Sequence, residues 1–375
     1  MTRLYRNTEH NMSIAIITPR MPPALDGIGD YCYQLWQHWS PGKRPTNFIV
    51  LESAQKSREF CPEINIHQIE PDENTLVSTL NNLNVDIVFL QYVGYGYDIN
   101  GAPFWLVEAL DKWLSQNTHR KLVTMFHESI AGGMPWQRVF WFQGKQKQCI
   151  NKLLHLSSKI ATSCQPNKES LLRINAGKPI EIIPIGCSFP VTASPEKNWQ
   201  QLLIFGKEFA RLRAIRLHKN LLKALVDKGL IEKLVLAGQL GQATDQTLAL
   251  IKQLSPNLPV TTHYNFSSDA IAQEIRESGL SLMHTQSTHL LKSTSFHLAA
   301  KLGQVAITID TGEPEPPFQS ERHLLSYKNN LAIERQLADK QQLQTISSQV
   351  LDLAYSYLDW EIIAQRWQEL FENLQ

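Results

Sequence analysis

Short runs of β-branched and aromatic residues alternate with longer segments of helical period along this chain, and the alternation occurs twice. In the first half, strands are expected at "IAIIT", "NFIVL", "VDIVFLQY", "KLVTMFH", "KIATS" and "IEIIPI". Helices are expected between them, among others at "DYCYQLWQHW", "PFWLVEALDKWLSQ" and "PNKESLLRI". In the second half, "QLLIFG", "KLVLAG", "PVTTHY", "GLSLMH" and "QVAITID" alternate with "HKNLLKALVDKG", "DQTLALIKQL", "DAIAQEIRES" and "STSFHLAAKLG". Such alternation implies parallel sheets covered on both faces. Two rounds of it imply an α/β protein of two Rossmann-like doubly wound domains facing across a cleft, with ligands at the carboxyl ends of the strands. The Pro-, Ser- and Thr-containing stretch "GCSFPVTASPEKNWQ" (186–200) reads as the seam.

A chain of 375 residues exceeds one typical core. Its 36 Lys and Arg nearly balance 35 Asp and Glu, which argues against a nucleic-acid partner. No run approaches the ~20 apolar residues of a spanning helix, and the first twelve residues are too polar for a secretory signal. Five cysteines without a C-x-x-C pair suit reduced thiols, so a cytoplasmic location is expected.

"PRMPPALDGIGDYCYQL" (19–35) poses the sharpest question. Gly27 and Gly29, beside Asp26 and Ile28, either turn the chain or let backbone amides approach an anion. A dinucleotide fingerprint would use these glycines with Glu52 as the ribose partner. Cys32 occupies its third glycine position, however, and the loop is long where that motif needs a tight turn.

The layout resembles the GT-B glycosyltransferases, specifically the retaining family 4, over nearly the whole chain. "DGIG" resembles that family's "GG-x-G" donor loop, with Asp26 in place of the first glycine. "FHES" sits where the family has a strand-end histidine, and "IIPIGCSF" is similar to the end of its first domain. "LLIFGKEFARLRAIRLHKN" resembles the segment opening the second, and "STSFHLAAKLGQVAIT" its loop and helix ending "A-x-G-x-P-V". "LDWEIIAQRWQELFENL" resembles the terminal helix that crosses back. More narrowly, the chain resembles cyanobacterial polysaccharide glycosyltransferases. The resemblance implies an acceptor-side domain over 1–188, completed by a helix over 358–375, and a nucleotide-sugar domain over 189–357. It further implies transfer of a hexose from a nucleotide sugar, UDP-glucose by preference, to a polysaccharide or lipid-linked acceptor with retention.

That reaction releases a diphosphate, so positive charge must gather where negative charge develops. Lys219 would contact the phosphates, with Arg213 and Arg216 as possible forks. Lys292, Ser293, Thr294 and Ser295 open a helix whose amides and hydroxyls suit an anion, although Ser and Thr are also ordinary caps. His127 is carried from the family as a contact to the donor sugar near the reacting carbon; the plain alternative is a structural histidine. Asn265 and Phe266 follow a strand where the family places the base. No cofactor or metal is expected: His284, His289 and His297 lack a completing ligand set.

Two features depart from the pattern or stand outside it. The family's paired glutamates, with seven residues between them, fall on Leu290 and Leu298, or on His289 and His297 with the register shifted by one. A catalytically silent subunit of a synthesis complex is therefore the alternative. "MPWQRVFWFQGKQKQCINKLLH" mixes Trp136, Phe140 and Trp141 with Arg138, Lys145 and Lys147, as a membrane-surface helix or a packed helix with a solvated face would.

Overall fold

The computed structural model describes residues 13–374, apart from 25, 46, 53–54, 131–133, 135, 137, 188–190, 195 and 266–270. The expectations for the first twelve residues and for Phe266 lie outside the described residues. The chain divides into two compact units. One runs to Ser163 and adds Asn167–Ile183 and the segment from Ala364 onward; the other comprises Cys164–Pro166 and Pro184–Ile363.

In the first unit, the strands are β1 (Ile14–Ile17), β2 (Asn47–Val50), β3 (Asn65–Gln68), β4 (Ile87–Tyr92), β5 (Lys121–Phe126), β6 (Lys159–Thr162) and β7 (Glu181–Ile182). They form one parallel sheet in the order β3-β2-β1-β4-β5-β6-β7. β4 is buried at every position, because a central strand covered on both faces has no solvent side. β3 was not anticipated from the sequence. It is an edge strand whose "NIHQ" buries only Ile66, so it lacks the apolar run that marks a central strand.

The second unit contains β8 (Asn198–Gly206), β9 (Lys233–Gly238), β10 (Val260–Tyr264), β11 (Ser278–Leu282), β12 (Val305–Ile309) and β13 (Leu325–Tyr327). Its parallel sheet has the order β10-β9-β8-β11-β12-β13, and the three-residue edge strand β13 was likewise unforeseen. Leu202, Leu234, Leu280, Val305 and Leu325 meet in one core cluster. In both units the strand order reverses beside the first strand, between β1 and β4 and between β8 and β11. Those reversal points leave a crevice at the strand ends where ligands of such sheets bind.

The terminal helix Trp360–Glu372 begins in the second unit and continues in the first. Trp360 Nε1 donates to the Cys187 carbonyl at 2.9 Å. Trp367 Nε1 donates to Tyr31 Oη at 2.7 Å, and its ring packs 4.5 Å from that of Phe89. Among the described residues no helix is long and apolar enough to cross a membrane.

Candidate functional site

In the first unit, the segment after β1 enters the helix Gly27–His38. Asp26 is its N-cap, with Oδ2 accepting from the Gly29 N–H at 3.1 Å. The helix thus starts three residues before the expected "DYCYQLWQHW", and the Gly29 amide, expected to be bare, already has a partner. A carboxylate at the cap satisfies an amide that the helix leaves open. Gly29 is buried, and a Cβ there would stand 2.8 Å from the Arg20 carbonyl, so packing alone requires glycine. Gly27 is exposed, with no atom within 4 Å of where its Cβ would stand. Ile28 is half-buried.

Burial and the Asp26 charge push the Asp30 carboxyl up to about 6. Two carboxyl groups therefore lie near each other at this helix start, an environment suited to hydroxyl groups rather than to a phosphate. Glu52 pairs with Arg20 at 2.6 Å, an ion pair that a ribose hydroxyl would have to compete with.

His127 follows β5 directly and is 8% exposed. Its Nε2 shares a 2.9 Å hydrogen bond with Gln91 Oε1, and its ring meets Tyr31 edge-on at 5.0 Å. Asn167 Nδ2 donates to its carbonyl at 3.2 Å. Because Tyr31 lies on the helix opened by Gly27, the fold brings His127 and the glycine segment together. One ring nitrogen is already engaged by protein.

In the second unit, the reversal point between β8 and β11 gathers most of the predicted donor residues. β8 ends at Gly206, and Lys207 follows it, exposed. The helix Glu208–Leu217 buries Arg211, Leu212, Ala214 and Ile215, leaving Arg213 and Arg216 exposed. Arg213 lies within electrostatic reach of His284, two residues beyond β11; burial and that cation lower the His284 pKa. His218 joins this helix to Lys219–Asp227. It is fully buried, with Nε2 2.8 Å from the Met283 carbonyl and Nδ1 2.5 Å from Tyr327 Oη. Burial holds its pKa down at about 4, so it is neutral. The bond to Met283 places the start of the next helix, with exposed Lys219, beside the end of β11.

The helix Thr294–Lys301 begins at the same place. Ser293 is its N-cap, accepting from Phe296 N–H at 3.3 Å and from Thr285 Oγ1 at 3.1 Å. Ser295 Oγ donates to the Phe205 carbonyl at 3.1 Å. Both serine hydroxyls are thus held by protein. What the helix start offers an anion is the amides of Thr294 and Ser295, which no helix can satisfy internally, with the exposed side chains of Thr294 and Lys292.

Two buried residues that the sequence did not single out shape this region. Arg211, fully buried, donates from Nη1 to the Gly206 carbonyl and, at 3.3 Å, to that of Ala237. Its Nη2 donates to the Gln239 carbonyl at 2.6 Å, and its guanidinium stands 4.7 Å over the Tyr264 ring. It ties the ends of β8, β9 and β10 together. The available signal was its spacing: Arg211, Ile215 and His218 recur on one helical stripe. Glu315 is 3% exposed and accepts from the amides of Leu291 at 3.0 Å and Gln165 at 2.7 Å. Burial pushes its carboxyl up to about 7 despite those donors. Lys207, which follows "FG" directly, is a further cation that the sequence pattern does not single out.

Asn265 stands at the end of β10, away from the reversal point in strand order. It adopts a left-handed φ of 52° and accepts from the Leu240 amide at 3.0 Å, the habit of an asparagine that shapes a turn. Leu290 and Leu298 are both fully buried, so these positions belong to the core. His297 is buried too, with a pKa lowered to about 4 by burial; His289 is exposed. Among the described residues no three His, Cys, Asp or Glu side chains come together as a metal site.

No family model matches the sequence, and no curated protein does. The likeness lies in structure. A Rickettsia africae glycosyltransferase superposes with a TM-score of 0.69 at 13% identity, over 97% of this chain and 98% of its own. An S. aureus TarM variant, in complex with fondaparinux, α-GlcNAc-glycerol and UDP, gives 0.65 at 9% identity over 96% and 99%. A Listeria monocytogenes protein provisionally assigned as a UDP-N-acetylglucosamine 2-epimerase gives 0.53 at 13% identity over 97% of each chain. This chain has the GT-B fold of two Rossmann-like domains.

Proposed function

We propose that this protein is a glycosyltransferase that takes its sugar from a nucleoside diphosphate sugar and holds the diphosphate on its second unit. The observation that carries the reading is the collection of exposed cations and open helix amides at the β8/β11 reversal point: Lys207, Arg213, Lys219 and the start of Thr294–Lys301. As the glycosidic bond breaks, negative charge grows on the departing diphosphate. Fixed cations and oriented amides stabilise that charge without reorganising at the moment of reaction. Arg216 extends the basic face of the same helix, and Lys292 sits beside the helix start.

In the first unit, Asp26, exposed Gly27 and Ile28 serve the sugar's hydroxyl groups. His127 acts as a hydrogen-bonding group beside the reacting carbon. The sugar is a hexose and the donor UDP-glucose, transferred with retention to a polysaccharide or lipid-linked glycan. The UDP in the TarM complex supports the nucleotide class. Charges built into the chain take the role of a diphosphate-binding metal.

The buried Leu290 and Leu298 favour one second reading, a silent subunit that binds nucleotide sugar without transferring it. Calorimetry with UDP, GDP and ADP, followed by donor-hydrolysis assays on their glucose forms, separates the two. Binding with slow hydrolysis is the expected result, and binding without hydrolysis indicates the silent subunit. Failure of all three nucleotides to bind overturns the proposal.

A further inference from the structure

We propose that the first unit carries a docking face for an anionic phospholipid surface, formed by Trp136, Phe140, Trp141, Lys145 and Lys147. Trp136 is 79% exposed and Trp141 72%, unusual values for a residue type that is normally well buried. Phe140 and Trp141 meet edge-to-face at 5.6 Å in the first turn of the helix Arg138–Leu156, making an aromatic projection. Lys145 and Lys147 stand exposed about one to two turns further on. Aromatic rings at a leading edge with cations a few ångströms behind match a bilayer's acyl boundary and its phosphate layer.

Charge favours a lipid over a protein partner. From 129 to 168 the chain has no Asp or Glu but six Lys and Arg, whereas its overall net charge is only +1. Of these cations, Lys152 is paired with Asp111 at 2.8 Å. Next to Lys147 opens a cavity of about 490 Å³, lined also by Arg173, Ser170 and Asn151 with Ile130 and Ile174. Two cations and three polar groups, Gln148 among them, beside two isoleucines suit a phosphate headgroup with the start of its chains. This inference is independent of the reaction proposed above, since it uses none of the same residues.

The test is co-sedimentation of the full chain with phosphatidylcholine vesicles, with and without phosphatidylglycerol. Binding to the anionic vesicles alone, weakening as salt rises, is expected. Trp136→Ala with Trp141→Ala should weaken it by about tenfold or more, and so should Lys145→Glu with Lys147→Glu. All four side chains are exposed, so thermal midpoints should not move. Equal sedimentation with neutral vesicles, no sedimentation, or undiminished binding by both double variants overturns the proposal. So does a solution dimer that the tryptophan substitutions dissolve, because the face would then be a protein interface.

Discussion

Ser295 Oγ donates to the carbonyl of Phe205 at 3.1 Å, across ninety residues of sequence, and so fastens the start of one helix to the end of β8. This contact sets the distance between the open helix amides and Lys207. Ser295→Ala should cost about 1 kcal/mol of stability, the usual worth of one buried hydrogen bond. It should also weaken UDP binding, because the helix start is no longer held in place. Denaturation and calorimetry on one preparation check both. Intact UDP affinity would show that the bond is purely structural.

Lys219 is exposed and contributes to no core. Lys219→Ala should leave the denaturation midpoint unchanged and reduce UDP affinity by about tenfold, the scale of one charge-assisted contact. Uridine affinity should not move. Equal UDP affinity in variant and parent would make the lysine mere surface.

Arg211 supports three carbonyl groups from inside the protein. Arg211→Met leaves those acceptors unpartnered and should destabilise the fold by about 3 kcal/mol. Arg211→Lys should rescue little, because a single ammonium cannot reproduce the planar fork. Urea midpoints of the two variants measure this, and a full rescue by lysine would contradict the bidentate role.

The two glycines of the first unit should respond differently to alanine. At Gly29 a Cβ meets the Arg20 carbonyl at 2.8 Å, so Gly29→Ala should cost about 1–3 kcal/mol. At Gly27 the space is open, and alanine should be neutral or slightly stabilising in a helix. A loss of transfer activity by Gly27→Ala with stability retained would locate a ligand against that backbone.

Stability in the second unit should depend on pH in two opposite ways. His218 and His297 have folded pKa values near 4, below the ordinary 6.5, so the unfolded chain binds more protons between those values. Their contribution, up to about 3 kcal/mol each, is complete above pH 6.5 and is lost as the pH falls toward 4. Glu315 is raised from 4.5 to about 7, so the folded chain holds the extra proton. Its contribution is complete below pH 4.5 and is lost as the pH rises to 7. Thermal midpoints of the parent and Glu315→Gln between pH 5 and 8 isolate the carboxyl. The variant should gain relative to the parent up to pH 7 and then hold level. A constant difference would mean that Glu315 does not titrate in that window.

The sheets were legible because their central strands are continuous apolar runs, as "IVFLQY" and "KLVTMF" show. The edge strands β3 and β13 were not, because a strand with one neighbour and few buried positions carries little pattern. Sequence order also pointed to the start of Thr294–Lys301 and to the basic helix before Lys219, since caps and charges are local signals.

Which of those charges face a site was a tertiary matter. In "ARLRAIR" three arginines look alike, yet Arg211 turns inward under three carbonyls while Arg213 and Arg216 remain outside. The same holds for "DGIG", where packing against Arg20 requires Gly29 and open space surrounds Gly27. Periodicity along the chain determined the central strands, the main helices and their parallel arrangement, because those depend on residues two to four apart. Burial and hydrogen-bond partners depend on atoms brought from far along the chain, and only the folded structure could assign them.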